Sequence, residues 1–209
     1  MKNFYILALS ILILTFNFSI YAKDLNPKPL TWKNNVKQLL YDDDIIIKDG
    51  SGFMELVTPY RALDAAIVPI TVNFFENQTD KNFIKSLILV VDENPSPVVG
   101  KFKFSPKIGN ASFTTRIRID KYTYVRAIAE NNNGEKFMIS NFVKAAGGCS
   151  APSLADMDSV MARLGKMKMK FIETNKSSNT LNKAKFLISH PNFSGLQFNQ
   201  LTRSEIPAH

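Results

Sequence analysis

Leu87-Ile88-Leu89-Val90-Val91 sets five apolar residues in an unbroken row. A strand with one face in water alternates apolar and polar residues. One that is apolar at every position reads as buried on both faces. On either side of this run the chain falls into short segments of the same kind. Ile45 to Ile47 leads into a Lys48-Asp49-Gly50-Ser51-Gly52 turn, and Phe53 to Val57 follows it. Ala65 to Phe75 is a long strand whose Pro69 cannot donate to a ladder, which predicts an edge or a bulge. Phe83 to Val91 ends in the apolar run, and Asp92-Glu93-Asn94-Pro95-Ser96-Pro97 is a turn. Val98 to Phe104, Ala111 to Ile119 and Tyr122 to Ala129 alternate at period two, and Phe137 to Ala145 is a further strand that returns towards the glycines. Asn131-Asn132-Asn133-Gly134 marks a hairpin between the last two. Many short strands, frequent turns and little helix predict a mainly β fold: an Ig-like antiparallel β-sandwich.

Two helices flank this block. In Thr31 to Tyr41, residues Trp32, Val36, Leu39 and Leu40 share one face, with Thr31 as N-cap, so the helix packs on or beside the sandwich. Asp42-Asp43-Asp44 ends it and lacks the glycine and further carboxylates of a calcium loop. Later, Ser153 to Asp156 has the form of a capping box. Leu154, Met157, Met161 and Leu164 make an apolar stripe, and Gly165 is a stop. Lys166 to Ile172 and Leu181 to Ser189 then read as two more strands.

The N-terminus predicts export. Met1-Lys2 is a short positive start, Phe4 to Phe16 is nearly all apolar, and Tyr21-Ala22 offers a cleavage site. The mature chain is expected to begin near Lys23, in the periplasm and free of the membrane. Its net charge is then +7, one lysine fewer than the +8 of the whole chain. The excess gathers late, with seven Lys or Arg against two Glu from Lys166 onward. Such a surface favours anionic ligands and acidic partners. Nucleic acid is excluded by the absence of any recognisable binding motif.

Export gives meaning to the cysteine count. Cys149 is the only one, so no internal disulfide exists and the fold rests on its core. It stands in Gly147-Gly148-Cys149-Ser150-Ala151-Pro152, just past the last strand of the sandwich. Two glycines predict a hinge, and Pro152 stiffens the far side. The expectation is a reactive thiol displayed on a flexible arm. There is no Ser-His-Asp set, no zinc spacing and no phosphate-cradling loop, so neither enzyme activity, nor cofactor, nor metal is expected.

Several of these segments resemble a known family. Pro59-Tyr60-Arg61-Ala62-Leu63-Asp64-Ala65-Ala66-Ile67-Val68-Pro69, Glu93 to Pro97, Thr115-Arg116-Ile117-Arg118 and Gly147-Gly148-Cys149 look like SoxY, the sulfur-carrier subunit. His190-Pro191-Asn192-Phe193-Ser194-Gly195 and Ile206-Pro207-Ala208-His209 look like the start of its partner subunit SoxZ. Together they are similar to the fused SoxYZ-like carriers associated with quinoprotein dehydrogenases. The resemblance implies that Cys149 is the point of covalent attachment for sulfur intermediates. Gly147, Gly148, Ser150, Ala151 and Pro152 would form its arm. It implies partners among periplasmic redox enzymes (a quinoprotein dehydrogenase or Sox-type enzymes) and cargo among anionic sulfur compounds, with the protein acted on by enzymes. The organisation expected is a signal peptide at 1–22 and a SoxY-like domain with its N-terminal helix at 23–146. Arm and linker helix follow at 147–165, then a truncated SoxZ-like domain at 166–209. That last domain is an incomplete second sandwich, which a second subunit could complete.

Two other readings of the same residues stand beside this one. Cys149 with Met157, Met161, Met167 and Met169 could make a periplasmic copper or redox-binding protein, although core packing accounts for all four methionines. A structural Ig-like module dimerising through a Cys149 disulfide is the other.

Overall fold

The computed structural model describes residues 29–151, 157–174, 181–199 and 202–208. The predicted signal peptide and the capping box at Ser153 to Asp156 lie outside them, as does Pro152. Two sheets face each other across the main core. One has three strands in the order β2 (Met54–Val57), β3 (Val68–Phe74), β6 (Phe113–Ile117). The other has five: β1 (Ile47–Asp49), β8 (Lys136–Val143), β7 (Thr123–Asn131), β4 (Ile84–Val91), β5 (Val98–Lys103). The predicted β-sandwich is present with the predicted strands. All pairings are antiparallel except β1 with β8, which run parallel at the sheet edge.

Period-two alternation builds the interior. Val68, Ile70, Val72 and Phe74 of β3 point inward to meet Leu87, Leu89 and Val91 of β4 and Val125, Ala127 and Ala129 of β7. The alternate residues of β4, Ile88 and Val90, face the other way and are equally buried. What covers them is the N-terminal helical segment. Trp32–Val36 winds as a π-helical turn and Lys37–Leu40 continues as α-helix. Trp32 and Val36 pack on Ile88, Val90 and Ile128. The unbroken apolar run is therefore the strand between two layers, as its sequence requires. Pro69 lies in the central strand of the smaller sheet, yet locally it is at an edge. The pairing of β2 with β3 stops at Thr71, so only β6 flanks the proline.

One interaction under this helix has no counterpart in the hydrophobic pattern. Arg126 of β7 and Asp92, just beyond β4, are both buried, at 3% and 2% side-chain exposure. The pair is bidentate: Nε donates to Oδ1 at 2.8 Å and Nη2 to Oδ2 at 2.7 Å. The guanidinium also lies 4.8 Å from the ring of Trp32 and 5.3 Å from that of Tyr124. Thr31, the expected N-cap, donates its hydroxyl to Glu93 instead. The helix is thus tied to the β4–β5 turn at two points. Asn131 and Gly134 close the β7–β8 hairpin as predicted. The Asn131 side chain accepts from the backbone N–H of Asn133 and Glu135, and Gly134 takes φ +83°.

After the sandwich come a short helix, Met157–Met161, and a ribbon of β9 (Met167–Glu173) and β10 (Lys183–Ile188). Every residue of both strands is exposed. In register, Met167, Met169, Phe171, Ala184, Phe186 and Ile188 fall on one face, and Lys168, Lys170, Lys185 and Leu187 on the other. Core packing was expected for the methionines. Instead Met161, Met167 and Met169 are 40%, 65% and 58% exposed, because no second sheet lies over this ribbon among the described residues. Among the described residues no helix is long and apolar enough to cross a membrane.

Removing one partner of the Arg126–Asp92 pair should strand a buried charge. Asp92→Ala is expected to lower unfolding stability by about 3–5 kcal/mol in urea titrations. The double change Asp92→Leu with Arg126→Met should recover most of that loss. A loss under about 1 kcal/mol for the single variant would show that water reaches the pair.

Candidate functional site

Strand β8 ends at Val143, and the backbone then turns across the end of the sandwich through Gly147, Gly148 and Cys149. This turn is held at each step. Gly147 donates its N–H to the carbonyl of Asp120 at 2.7 Å, and Gly148 to that of Ile119 at 2.9 Å. Arg118 donates from Nη1 to the Gly148 carbonyl at 2.8 Å. The Ser150 hydroxyl donates back to Gly147 at 3.2 Å. From the C-terminal segment, Ser194 donates its hydroxyl to the Cys149 carbonyl, and Gln197 donates from Nε2 to the Ala151 carbonyl at 2.9 Å. Gln197 is completely buried in doing so.

The expected flexible arm is therefore corrected: Gly147, Gly148, Ser150 and Ala151 form a pinned turn. The glycines serve other ends than freedom. Gly147 takes φ +76°, a conformation that side chains disfavour. Gly148 is a close-approach position. A Cβ there would sit 2.0 Å from the Ala65 carbonyl oxygen and 2.6 Å from that of Ile119. Only a residue without a side chain lets the turn lie down on these two backbones.

The exposed thiol is corrected too. Cys149 is buried, at 5% exposure. Burial pushes its thiol above the ordinary cysteine range, and the nearby Asp120 carboxylate pushes in the same direction. Arg118 pulls the other way with less effect. At neutral pH the sulfur is held mainly as the thiol, the weaker nucleophile. The environment of Cys149 is thus set by Arg118, Asp120, Ser194 and Gln197, none of which sequence reasoning had singled out for a role at the thiol. Their sole signal was position. Arg118 and Ser194 stand in segments the family resemblance marked for other reasons, and Asp120 follows directly on a predicted strand. Among the described residues no cluster of His, Cys, Asp or Glu could hold a metal ion.

The fold and this turn define a class: a β-sandwich with a single thiol at the close of its last strand. The family model for sulfur oxidation protein SoxY matches residues 36–149, more than half of the chain, and ends on the cysteine itself. The chain belongs to the SoxY family. Among solved structures it is similar to the sulfur carrier protein SoxY from Chlorobium limicola f thiosulfatophilum. Identity is 20%, 48% of this chain and 81% of that one are covered, and the TM-score is 0.41. It is also similar to a superoxide reductase (neelaredoxin) from Ignicoccus hospitalis, at 15% identity over 44% and 79% of the two chains with a TM-score of 0.39. No curated protein matches the chain.

A raised thiol pKa has a direct kinetic signature. The rate of alkylation by iodoacetamide should climb about tenfold per pH unit and level off only above the plateau of a peptide cysteine. Asp120→Asn removes one of the two upward pushes and should shift that profile to lower pH, with faster reaction at pH 7. Gly148→Ala should act differently. By lifting the turn off Ala65 it is expected to raise the rate at every pH and cost about 1–3 kcal/mol in stability. A profile that coincides with that of a peptide thiol in the native protein would contradict the buried site.

Proposed function

We propose that the protein is an exported carrier that holds sulfur intermediates covalently on Cys149 and presents them to redox enzymes. The observation that supports this most is the family match, which runs through the sandwich and ends on the chain's one cysteine. The chemistry suits the role. A thiolate joins an oxidised sulfur species through a sulfur–sulfur bond, and a second thiolate or an oxidant can break that bond again. Joining thiosulfate to a thiol removes two electrons and a proton. Loading therefore calls for an electron acceptor, the part assigned here to a partner redox enzyme. A quinoprotein dehydrogenase or a Sox-type enzyme is the proposed class of partner, and the periplasm the proposed compartment. On this reading the protein itself is acted on and does not catalyse.

The proposed organisation keeps the SoxY-like unit at 23–146 and treats 147–165 as the carrier turn with its linker. Residues 166–209 are proposed as a SoxZ-like segment fused to it. Two contacts favour the fusion as a working arrangement, those from Ser194 and Gln197 to the cysteine turn. Presentation of cargo requires these and the Gly147 and Gly148 hydrogen bonds to part, so the described geometry is the closed state of the carrier.

Intact mass of the protein purified from its native periplasm is the direct test. A sulfur-containing adduct is expected on the wild-type chain and none on Cys149→Ser. Treatment with tetrathionate should add one S2O3 group at Cys149, releasing thiosulfate as the leaving group. An unmodified thiol in the native protein, with no reaction before denaturant is added, would defeat the proposal. So would isolation as a Cys149 disulfide dimer.

A further inference from the structure

Three stretches of the sandwich converge around the cysteine turn, and they bring an unusual set of side chains with them. Lys144 donates its N–H to the Tyr60 carbonyl at 2.7 Å, and Ala62 donates to the Lys144 carbonyl at 3.1 Å. Arg61 and Lys144 are bridged as a parallel pair outside the named strands. Ile119 donates to the Ala65 carbonyl at 2.9 Å, next to the Gly147 contact with Asp120. The end of the sandwich that carries Cys149 therefore also carries Arg61, Arg118, Lys121 and Lys144.

The state of these charges differs from that at the far end of the same β7–β8 hairpin. There Lys48 pairs with Glu135, and Lys85 and Lys136 both pair with Glu130. Around the cysteine none of the four cations forms an ion pair among the described residues. The two local carboxylates offset part of this charge but pair with none of the four. Asp64 is engaged by the Ala66 N–H at 2.8 Å, and Asp120 is half-buried. Apolar surface lies among the cations. Leu63 is fully exposed, at 106%, Tyr60 and Tyr122 stand half out at 53% and 49%, and Lys144 lies 4.7 Å from the Tyr60 ring. An exposed apolar and aromatic centre with unpaired cations around it is the anatomy of a protein–protein contact.

We infer that this end of the sandwich is a docking face for a partner protein whose own contact surface is acidic, with Cys149 enclosed in the contact. The inference rests on the carrier reading for the purpose of the contact, and on the unpaired cations for its sign. Four positive charges without ion-pair partners attract an acidic surface over about a Debye length and orient it before contact. Steering of this kind speeds encounter, which suits a carrier that must find its enzymes by diffusion.

The test uses the full chain and two synthetic peptides, one rich in glutamate and one in lysine. Each carries an activated disulfide with a thionitrobenzoate leaving group. Attack by the Cys149 thiolate joins the peptide to the protein and releases the coloured thiolate, so the rate reports arrival at this face. At low ionic strength the glutamate peptide should react about tenfold faster than the lysine peptide. In about 0.5 M salt the ratio should fall towards one. Arg61→Glu with Lys121→Glu should invert it. Lys168→Glu with Lys170→Glu, on the exposed β9–β10 ribbon and outside this cluster, alters net charge equally and should leave it unchanged. A ratio indifferent to the first pair, or shifted as much by the second, would overturn the inference, as would failure of either peptide to react. An oligothymidylate that blocks the reaction better than free glutamate peptide would assign the face to nucleic acid and overturn it too. Because the ratio is read on Cys149 whatever it carries in the cell, loss of the carrier reading and loss of the docking face give separate results.

Discussion

The double burial of β4 is the constraint on which the rest of the fold depends. Leu87, Leu89 and Val91 need the smaller sheet on one side, while Ile88 and Val90 need a cover on the other. The Trp32 segment supplies that cover. Each fully buried aliphatic side chain is worth about 1.5–3 kcal/mol relative to exposure, so a bare outer face would forfeit much of the margin by which a domain is stable. Covering it has an electrostatic consequence. Arg126 lies on the same outer face of β7 and is sealed in with its neighbours. It is tolerable there because Asp92 accepts a bidentate pair and Trp32 and Tyr124 offer their ring faces. The pair also fixes where the β4–β5 turn leaves the sheet, and with it the position of Asn94. That side chain bonds the Arg118 carbonyl at 2.8 Å and the Asp120 N–H at 2.9 Å. Core, turn and cysteine site are therefore joined by one chain of contacts.

Gly148 is the last link of that chain. Its missing side chain lets two backbone segments, at Ala65 and Ile119, hold the turn from one side while Arg118 holds its carbonyl. A glycine pair read in a sequence suggests freedom, but the absence of a Cβ has two uses. One is access to unusual backbone angles, and the other is room for close contact. Gly147 uses the first and Gly148 the second. Both bind the turn down.

Much of the sandwich was legible because its signals are local. Alternation fixed the faces of β5, β6 and β7, the Asn-Asn-Asn-Gly turn fixed a hairpin, and the Leu87–Val91 run required a second cover. What was not legible depends on side chains that meet across long sequence separations. Arg126 and Asp92 lie thirty-four residues apart, and each alone reads as a surface charge. Cys149 appeared exposed because its neighbours in sequence are small and polar. Its neighbours in space are Asp120, Arg118 and the Ser194–Gln197 segment, which no local pattern associates with it. The methionines of β9 were misjudged for a related reason. Alternation marks Met167, Met169 and Phe171 as one face, but burial belongs to the layer above a face, and over this ribbon none is found among the described residues.

A buried thiol with a raised pKa is a poor resting nucleophile, and for a carrier of reactive sulfur that is an advantage. A free, low-pKa thiol in an oxidising compartment would pair with any passing disulfide. Burial restrains Cys149 sterically and electrostatically at once, and on the proposed carrier reading one opening of the turn would relieve both. Lifting the turn off Ile119 and Asp120 returns the sulfur to water and takes it away from the Asp120 carboxylate. Both changes lower the thiol pKa towards its ordinary value. Reactivity would then follow the position of the turn, with a single set of backbone hydrogen bonds governing both exposure and charge.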